Sequence, residues 1–394
     1  MRKFFGLGLV LLVIFLGFYL GNYFLTDRLP VEKKVITPTE KVPKETPTPE
    51  VTREFQLKKS IFVPQWQIGQ LDQLAQLKDY ERLIYFGSEA GLKDFITKVN
   101  SEKNQSLWFT YKINEIPPEN IWEKITQEKI EILKKFNLEG IVLDLEISGL
   151  PTEKKVAEIN NFNEYFLKSI KEAGFKNAVA IYGDTFYRKR PYDLNKISHL
   201  VDEVMVMAYD FSKSYGQPGP NFPYEGKEKY GYDFKAMIDD FLKWVPLEKL
   251  SVIFGMYGHD WQVDEKKRPI SQAKALTLNQ IKEKFLRGAI SARSDKNVPP
   301  LKSKAVGLES KTSGENELGE IICQFENCLI KRDDLSKEVE INYVISSDKP
   351  DDQGIYRLDY HIVWFEDEKS VEIKTDYLKV KGINNIIFWA LNYF

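Results

Sequence analysis

The sequence predicts an α/β fold, a (β/α)8 barrel with an insertion after its seventh strand, preceded by a membrane-spanning segment and a Pro/Thr-rich linker. Three observations carry this reading. From Ser60 onward, apolar strand-like runs alternate with helix-like stretches, the pattern that a parallel sheet with crossover helices requires. The residues best suited to chemistry, Glu146, Asp210, Trp261 and Trp389, fall at the C-terminal ends of such runs, where barrels of this kind place their sites. Residues 1–25 and 26–54 differ in composition from everything that follows.

Taken in order, Ile61, Phe62 and Val63 open the first strand, which ends near Gln65 and Trp66. Leu83 to Phe86 and Leu107 to Tyr111 form the second and third, with a helix over about 92–99 between them. A helix over 118–136 leads into the fourth strand. Another over 153–173 leaves it, started by Pro151, Thr152 and Glu153. Ala178 to Tyr182 is the fifth strand. Three later runs, at 204–210, 254–261 and 386–390, are taken up below with the motifs they carry. A helix over 233–244 separates the first two of these, and one over 271–286 follows the second. The polar stretch at about 291–347, with a strand-like Val339 to Val344, reads as a loop-rich insertion: either one wall of the substrate cleft or a surface excursion. Only five residues separate Trp389 from Phe394, and a closing eighth helix is not expected. Either an early helix covers that gap or the barrel is slightly open.

The chain has 394 residues, 43% hydrophobic and 29% charged, with 56 basic against 58 acidic side chains. A net charge of -2 gives no reason to expect nucleic acid as a partner. Phe4 to Gly21 carries no charge and would span about 27 Å as a helix, close to the hydrocarbon thickness of a bilayer. Arg2 and Lys3 precede it, which favours a cytoplasmic N-terminus and an exported remainder. Tyr23-Phe24-Leu25 offers no small-residue cleavage pattern, so an uncleaved single-pass anchor is expected rather than a removed signal. Residues 26–54 alternate prolines with Thr, Lys and Glu and contain no glycine. Such a stretch cannot bury a core and reads as an extended tether. Residues 55–394 form the folded domain. Of the two cysteines, Cys323 and Cys328, a local disulfide is the expected state in an exported domain. A metal site would need ligands that the scattered His199, His259 and His361 do not offer. No cofactor is expected.

The run 138–146 reads Leu-Glu-Gly-Ile-Val-Leu-Asp-Leu-Glu. Its period is that of a strand, so Asp144 and Glu146 share one face, roughly 6.5–7 Å apart at Cα. Like charges held that close disfavour double ionisation, so one carboxyl keeps a proton near neutral pH. A neutral acid beside an ionised one is what protonation of a leaving group requires.

This strand, Glu139-Gly140-Ile141-Val142-Leu143-Asp144-Leu145-Glu146, resembles the signature strand of family 18 glycoside hydrolases, the chitinase-like enzymes. Val204-Met205-Val206-Met207-Ala208-Tyr209-Asp210 is similar to the family's sixth barrel strand, and Phe254-Gly255-Met256-Tyr257-Gly258-His259-Asp260-Trp261 to its seventh. Ile386-Ile387-Phe388-Trp389-Ala390 resembles the eighth, whose tryptophan floors the sugar site. His361 to Asp367, with Ser370 and Lys374, resembles the segment before it, most of all in bacterial envelope and spore-type members. The resemblance spans roughly 60–394 and implies a TIM barrel acting on an N-acetylglucosamine-containing polysaccharide.

It further implies retaining hydrolysis assisted by the substrate, whose acetamido oxygen attacks the anomeric carbon. Glu146 would protonate the leaving oxygen and then activate water. Asp144 would orient the acetamido N–H, and Tyr209 would donate to its oxygen. Asp210, Trp389, Met207, Tyr257 and Trp261 would bind the sugar. One departure stands out: Val142 occupies a position where the family usually carries Asp or Asn. Valine cannot hydrogen-bond, so Asp144 is expected to have a raised pKa and a less controlled rotamer. Three functions follow: an anchored glycosidase of reduced rate, a glycan-binding module that has lost turnover, or, on the tether alone, a scaffold for envelope assembly.

Overall fold

In a computed structural model of the chain, the described residues are 55–99, 105–287, 322–323, 328–350, 353–354 and 356–394. The expected membrane segment, the linker, and residues 288–321 of the insertion region lie outside them. Among the described residues no helix is long and apolar enough to cross a membrane.

Seven strands come first: β1 (Lys58–Pro64), β2 (Arg82–Phe86), β3 (Ser106–Ile113), β4 (Gly140–Leu145), β5 (Lys176–Tyr182), β6 (Glu203–Ala208) and β7 (Leu250–Gly255). Then come β8 (Tyr257–Val263), β9 (Lys274–Thr277), β10 (Leu286–Arg287), β11 (Ile322–Cys323), β12 (Cys328–Arg332), β13 (Val339–Pro350) and β14 (Tyr356–Phe365), followed by β15 (Asn385–Trp389). The first seven and β15 close into a barrel in the order β1-β15-β7-β6-β5-β4-β3-β2. β1 and β15 pair in parallel, Lys58 opposite Asn385 and Ile61 opposite Phe388. The barrel is therefore closed, although no helix follows β15 among the described residues.

The helices at Trp122–Lys135, Glu153–Glu172 and Phe234–Phe241 fall inside the ranges expected from the sequence. Thr152 caps the second through Lys155 N and Asp233 caps the third through Ala236 N, each accepting from a backbone N–H that has no partner inside the helix. Among the helices that escaped sequence reading are Leu194–Leu200 and Glu368–Lys381. The first is too short to show periodicity. The second carries a weakly segregated face, with Lys374 on its buried side.

Inward side chains stack along the barrel axis. At the N-terminal end the Arg82 guanidinium grips the Glu203 carboxylate with two bonds, 2.5 and 2.8 Å long. Burial pushes the Glu203 carboxyl up, but Arg82 and the Ser251 hydroxyl hold it below its ordinary value. Above this pair lies an apolar layer that includes Phe62, Ile84, Trp108, Val142, Met205 and Ile253. The polar and aromatic residues of the cleft stand on that layer.

The region after β7 departs from expectation. The run 254–261 is not one barrel strand. β7 ends at Gly255, and β8 belongs to a five-stranded antiparallel sheet in the order β12-β13-β14-β8-β9. Gly255 makes the break sterically possible, since a Cβ there would lie 2.6 Å from the Tyr257 ring and 2.7 Å from Tyr209 Cβ. Among the described residues, strands between 257 and 365 thus form an antiparallel sheet, which starts well before the loop-rich 291–347 expected. Residues 274–277, expected to be helical, pair with β8 instead, leaving a helix at Leu278–Phe285. Cys328 is disulfide-bonded, in agreement with the expected local bridge. The Cys323 side chain lies outside the described residues.

A fully buried ion triad fastens this sheet to the barrel. Lys374 Nζ donates to Glu338 Oε1 at 3.0 Å and to Glu366 Oε1 at 2.6 Å. Glu338 also accepts the backbone N–H groups of Asn221 (2.5 Å) and Phe222 (2.8 Å), in the loop after β6. Removing Lys374 would leave two buried carboxylates without their cation.

Candidate active site

The C-terminal ends of the barrel strands surround a cleft of about 330 Å³. Asp144, Glu146, Met207, Tyr209, Asp210, Tyr257 and Trp389 all line it. So do Phe62, Trp66, Phe86 and Lys112, which sequence reasoning did not single out. Trp261 does not. It lies fully buried in a separate cluster with Val263, Ile362 and Trp364, inside the insertion sheet. Once β8 leaves the barrel, a residue six positions past Gly255 is carried away from the strand ends. The sugar-binding role expected of Trp261 is therefore corrected to a packing role.

β4 delivers the two carboxyls as its alternation requires. Asp144 is the last inward residue of the strand and Glu146 the next position on that face. Asp144 is 4% exposed, and its Oδ1 has no hydrogen-bond partner among the described residues. Val142, one step below on the same face, is apolar and belongs to the interior layer. Burial first, and then the charge of Glu146, push the Asp144 carboxyl up to about 8, against an opposing pull from Lys112. Glu146 is more open and forms an ion pair with Lys112 Nζ at 2.7 Å. The proton expected on one of the two carboxyls thus belongs to Asp144 in the free protein. Desolvation carries this assignment, since an ionised Asp144 would stand buried with one oxygen unpartnered.

Lys112 comes from β3, where it stands opposite Asp144 in the ladder. Its ammonium also lies 5.8 Å from the centre of the Phe86 ring. The signal that could have found it was positional: a lysine two residues after a buried inward Thr110, near the C-terminal end of a barrel strand.

Tyr209 follows β6. Burial and the charges of Asp144, Glu146 and Asp210 hold its hydroxyl well above the ordinary phenol value, so it stays a donor. Asp210 has a left-handed backbone (φ +55°), and its N–H donates to Asn221 Oδ1 at 2.8 Å. Asn221 also donates to Gly255 O at 3.1 Å, so one amide ties the ends of β6 and β7 together. The Tyr257 hydroxyl donates to Asp210 Oδ1. Trp389 makes the apolar side of the cleft, with ring centres 4.9 Å from Phe86, 5.3 Å from Phe62 and 6.5 Å from the largely exposed Trp66. Flat aromatic faces beside paired carboxyls suit a sugar ring, whose C–H faces stack on them. Among the described residues no cluster of His, Cys, Asp and Glu could hold a metal ion.

A closed parallel barrel with an acid pair and an aromatic floor at its C-terminal end defines a carbohydrate-processing class of protein. Residues 55–393 match the family of glycosyl hydrolases family 18, and the chain belongs to that family. It is 23% identical over 274 residues to an uncharacterised glycosylase of Bacillus subtilis, YvbX, an alignment covering 68% of this chain and 62% of that protein. The chain thus spans a little over three fifths of the length of that curated relative. Among solved structures it is similar to a family 18 N-acetylglucosaminidase from Paenibacillus barengoltzii, with a TM-score of 0.63 and 12% identity, covering 86% of this chain and 96% of that one. It is also similar to the spore cortex-lytic enzyme SleL of Bacillus cereus, with a TM-score of 0.56 and 16% identity, covering 86% and 71%.

Proposed function

We propose that this chain is a glycosidase that cuts β-1,4 bonds next to N-acetylated sugars by a substrate-assisted retaining mechanism. The observation that carries the proposal is the convergence of Asp144, Glu146, Tyr209 and Trp389 on one cleft at the strand ends. The relatives described as a glycosylase, an N-acetylglucosaminidase and a cortex-lytic enzyme support the same reading.

The sugar at the scissile bond lies against Trp389 with its acetamido group directed at Asp144 and Tyr209. Tyr209 donates to the acetamido oxygen. That oxygen attacks the anomeric carbon as the glycosidic bond breaks, forming an oxazolinium ion. The leaving oxygen takes a proton from Glu146. In the free site that proton resides on Asp144, so binding moves it: the acetamido N–H needs an ionised acceptor at Asp144, and the displaced proton passes to Glu146 as Lys112 lets go. Glu146, now ionised, draws a proton from water, and the resulting attack reopens the oxazolinium with net retention. Asp144 stabilises the positive charge in between. The unpartnered Asp144 oxygen above Val142 and the Lys112 contact both make this proton movement harder, so a slow enzyme is expected.

Residues 4–21 would anchor the protein with its N-terminus in the cytoplasm, and 26–54 would hold the barrel at the outer face within reach of the wall. Envelope glycan, peptidoglycan or a chitin-like polymer, is then the natural substrate.

The test is release of reducing ends from N-acetylglucosamine oligomers and from wall glycan by the full-length chain, beside its Glu146→Gln variant. Equal release from the two proteins rules the enzyme out. Binding without release selects the second reading, a glycan-binding module, which the Val142 and Lys112 observations favour.

A further inference from the structure

Beside the cleft stand cations that its proposed chemistry does not use. Beyond Lys112, three cations gather where β5 ends and the loop after β6 begins. Asp184, almost fully buried, takes two bonds from Arg190, at 2.9 and 3.0 Å, and is also paired with Arg188. Arg188 donates in addition to Phe211 O at 2.9 Å, which draws the loop bearing Lys213 against this cluster. Asp184 is thereby used up. Burial pushes its carboxyl up, but the two arginines hold it below its ordinary value.

Lys213 is the cation left over. Among the described residues its ammonium has no hydrogen-bond or ion-pair acceptor. It lies 5.4 Å from the centre of the Tyr182 ring, and Tyr182 packs against the apolar layer beneath the cleft. Arg190 approaches the same ring at 4.2 Å. Tyr182 is the last residue of β5, and the strongest charge acting on its hydroxyl is Glu146. The strongest charge acting on Lys213 is Asp210, which lines the cleft but is already bonded to Tyr257. Lys213 therefore sits beside Tyr182, three residues past the cleft-lining Asp210, with no ion-pair partner among the described residues.

An amino group this desolvated loses hydration and gains no partner in return, an arrangement unfavourable to folding. Burial indeed pulls the Lys213 ammonium below its ordinary value. With Asp144 protonated, Lys112 and the neighbouring Arg188, Arg190 and Lys213 stand against the carboxylates of Glu146, Asp184 and Asp210, and one positive charge remains in and beside the cleft. A rim for neutral sugars has no use for it.

We infer that the cleft takes a glycan carrying a carboxylate on a sugar next to the scissile bond, with Lys213 as the counter-ion of that carboxylate. The inference rests on the reading of this cleft as a glycan site and deepens it. The carboxylate completes the coordination that Lys213 lacks, and the Tyr182 ring holds the lysine stem in place. Two sources share this chemistry: an ether-linked acid side group on an N-acetylated amino sugar, as in peptide-free wall strands, and a uronic acid alternating with N-acetylglucosamine.

The experiment measures binding of the full-length chain to three oligosaccharides of equal length, by calorimetry at low and high salt. One is a neutral N-acetylglucosamine oligomer, the second bears ether-linked carboxylates, and the third bears uronic acids. At low salt one carboxylate-bearing oligomer binds about tenfold more tightly than the neutral one, a typical gain for a charge-assisted contact. The better of the two identifies the source, and added salt shrinks the advantage. Lys213→Met brings the affinity ratio of acidic to neutral oligomer near one, whereas Lys213→Arg keeps it. A ratio near one in the wild type overturns the inference, as does a ratio unchanged in Lys213→Met, or equal loss on both ligands. Turnover of the neutral oligomer without acidic preference defeats this inference and leaves the glycosidase intact. Acidic preference without any turnover does the reverse, and no binding of any oligomer defeats both.

Discussion

Replacing Asp144 by Asn separates what this carboxyl does for catalysis from what it does to stability. Asp144 is buried, one of its oxygens is unpartnered, and its carboxyl is pushed from an ordinary 3.8 up to about 8, by burial before the charge of Glu146. Between those values the folded chain holds a proton that the unfolded chain has released, so stability falls as pH rises from about 4 toward about 8. A shift of that size corresponds to a ceiling of ~6 kcal/mol. Coupling to Glu146 and water at the cleft mouth reduce the expected effect to ~2 kcal/mol near pH 8. Asn has nearly the shape of the neutral acid and does not titrate. Asp144→Asn is therefore expected to unfold at higher denaturant than wild type at pH 8, with the gap closing toward pH 4–5. The same variant loses the acceptor for the acetamido N–H, so glycan hydrolysis should fall by ~100-fold or more. Equilibrium denaturation at several pH values, with reducing-end release on the same preparations, measures both. A stability difference that stays constant from pH 5 to pH 8 would refute the assignment of the proton to Asp144.

Other outcomes follow from the same geometry. Hydrolysis should decline as pH rises through about 8, where the site loses the proton it must pass on, and Lys112→Met should move that limb upward because Lys112 pulls the Asp144 carboxyl down. A pH–rate profile that is identical in the two proteins contradicts this. Arg82→Met should lower stability by ~3–5 kcal/mol by leaving Glu203 buried without its cation; adding Glu203→Gln should restore part of the loss, as a thermal melt would show. Asn221→Ala should free the left-handed Asp210 and reduce kcat about tenfold with a smaller change in melting temperature, since the amide holds the ends of β6 and β7. A loss of stability that accounts for the whole activity change would make Asn221 structural only.

How far the site was legible varies by residue. Asp144 and Glu146 share a face because they are two apart on a strand, and Val142 lies beneath Asp144 for the same reason. Those relations are local and survive any arrangement of the other strands. Tyr209, Asp210 and Trp389 were found through motifs at strand ends, and the barrel brings them to the cleft. Trp261 was misplaced because 254–261 as a whole resembles the family's seventh strand, whereas the backbone breaks at Gly255 and starts a new sheet.

By itself, then, the sequence determined the alternation of strands and helices, the shared face of the acid pair and the apolar residue behind it, since each depends on periods of two or about 3.6 along one segment. Only the tertiary structure decided which carboxyl keeps the proton, because burial and the nearness of Lys112 arise from β3 lying beside β4. It also closed the barrel through β1 and β15, partners more than 300 residues apart whose pairing no local pattern encodes. Charge and desolvation act through space, so the chemistry of this cleft is set by strands that the sequence keeps far from one another.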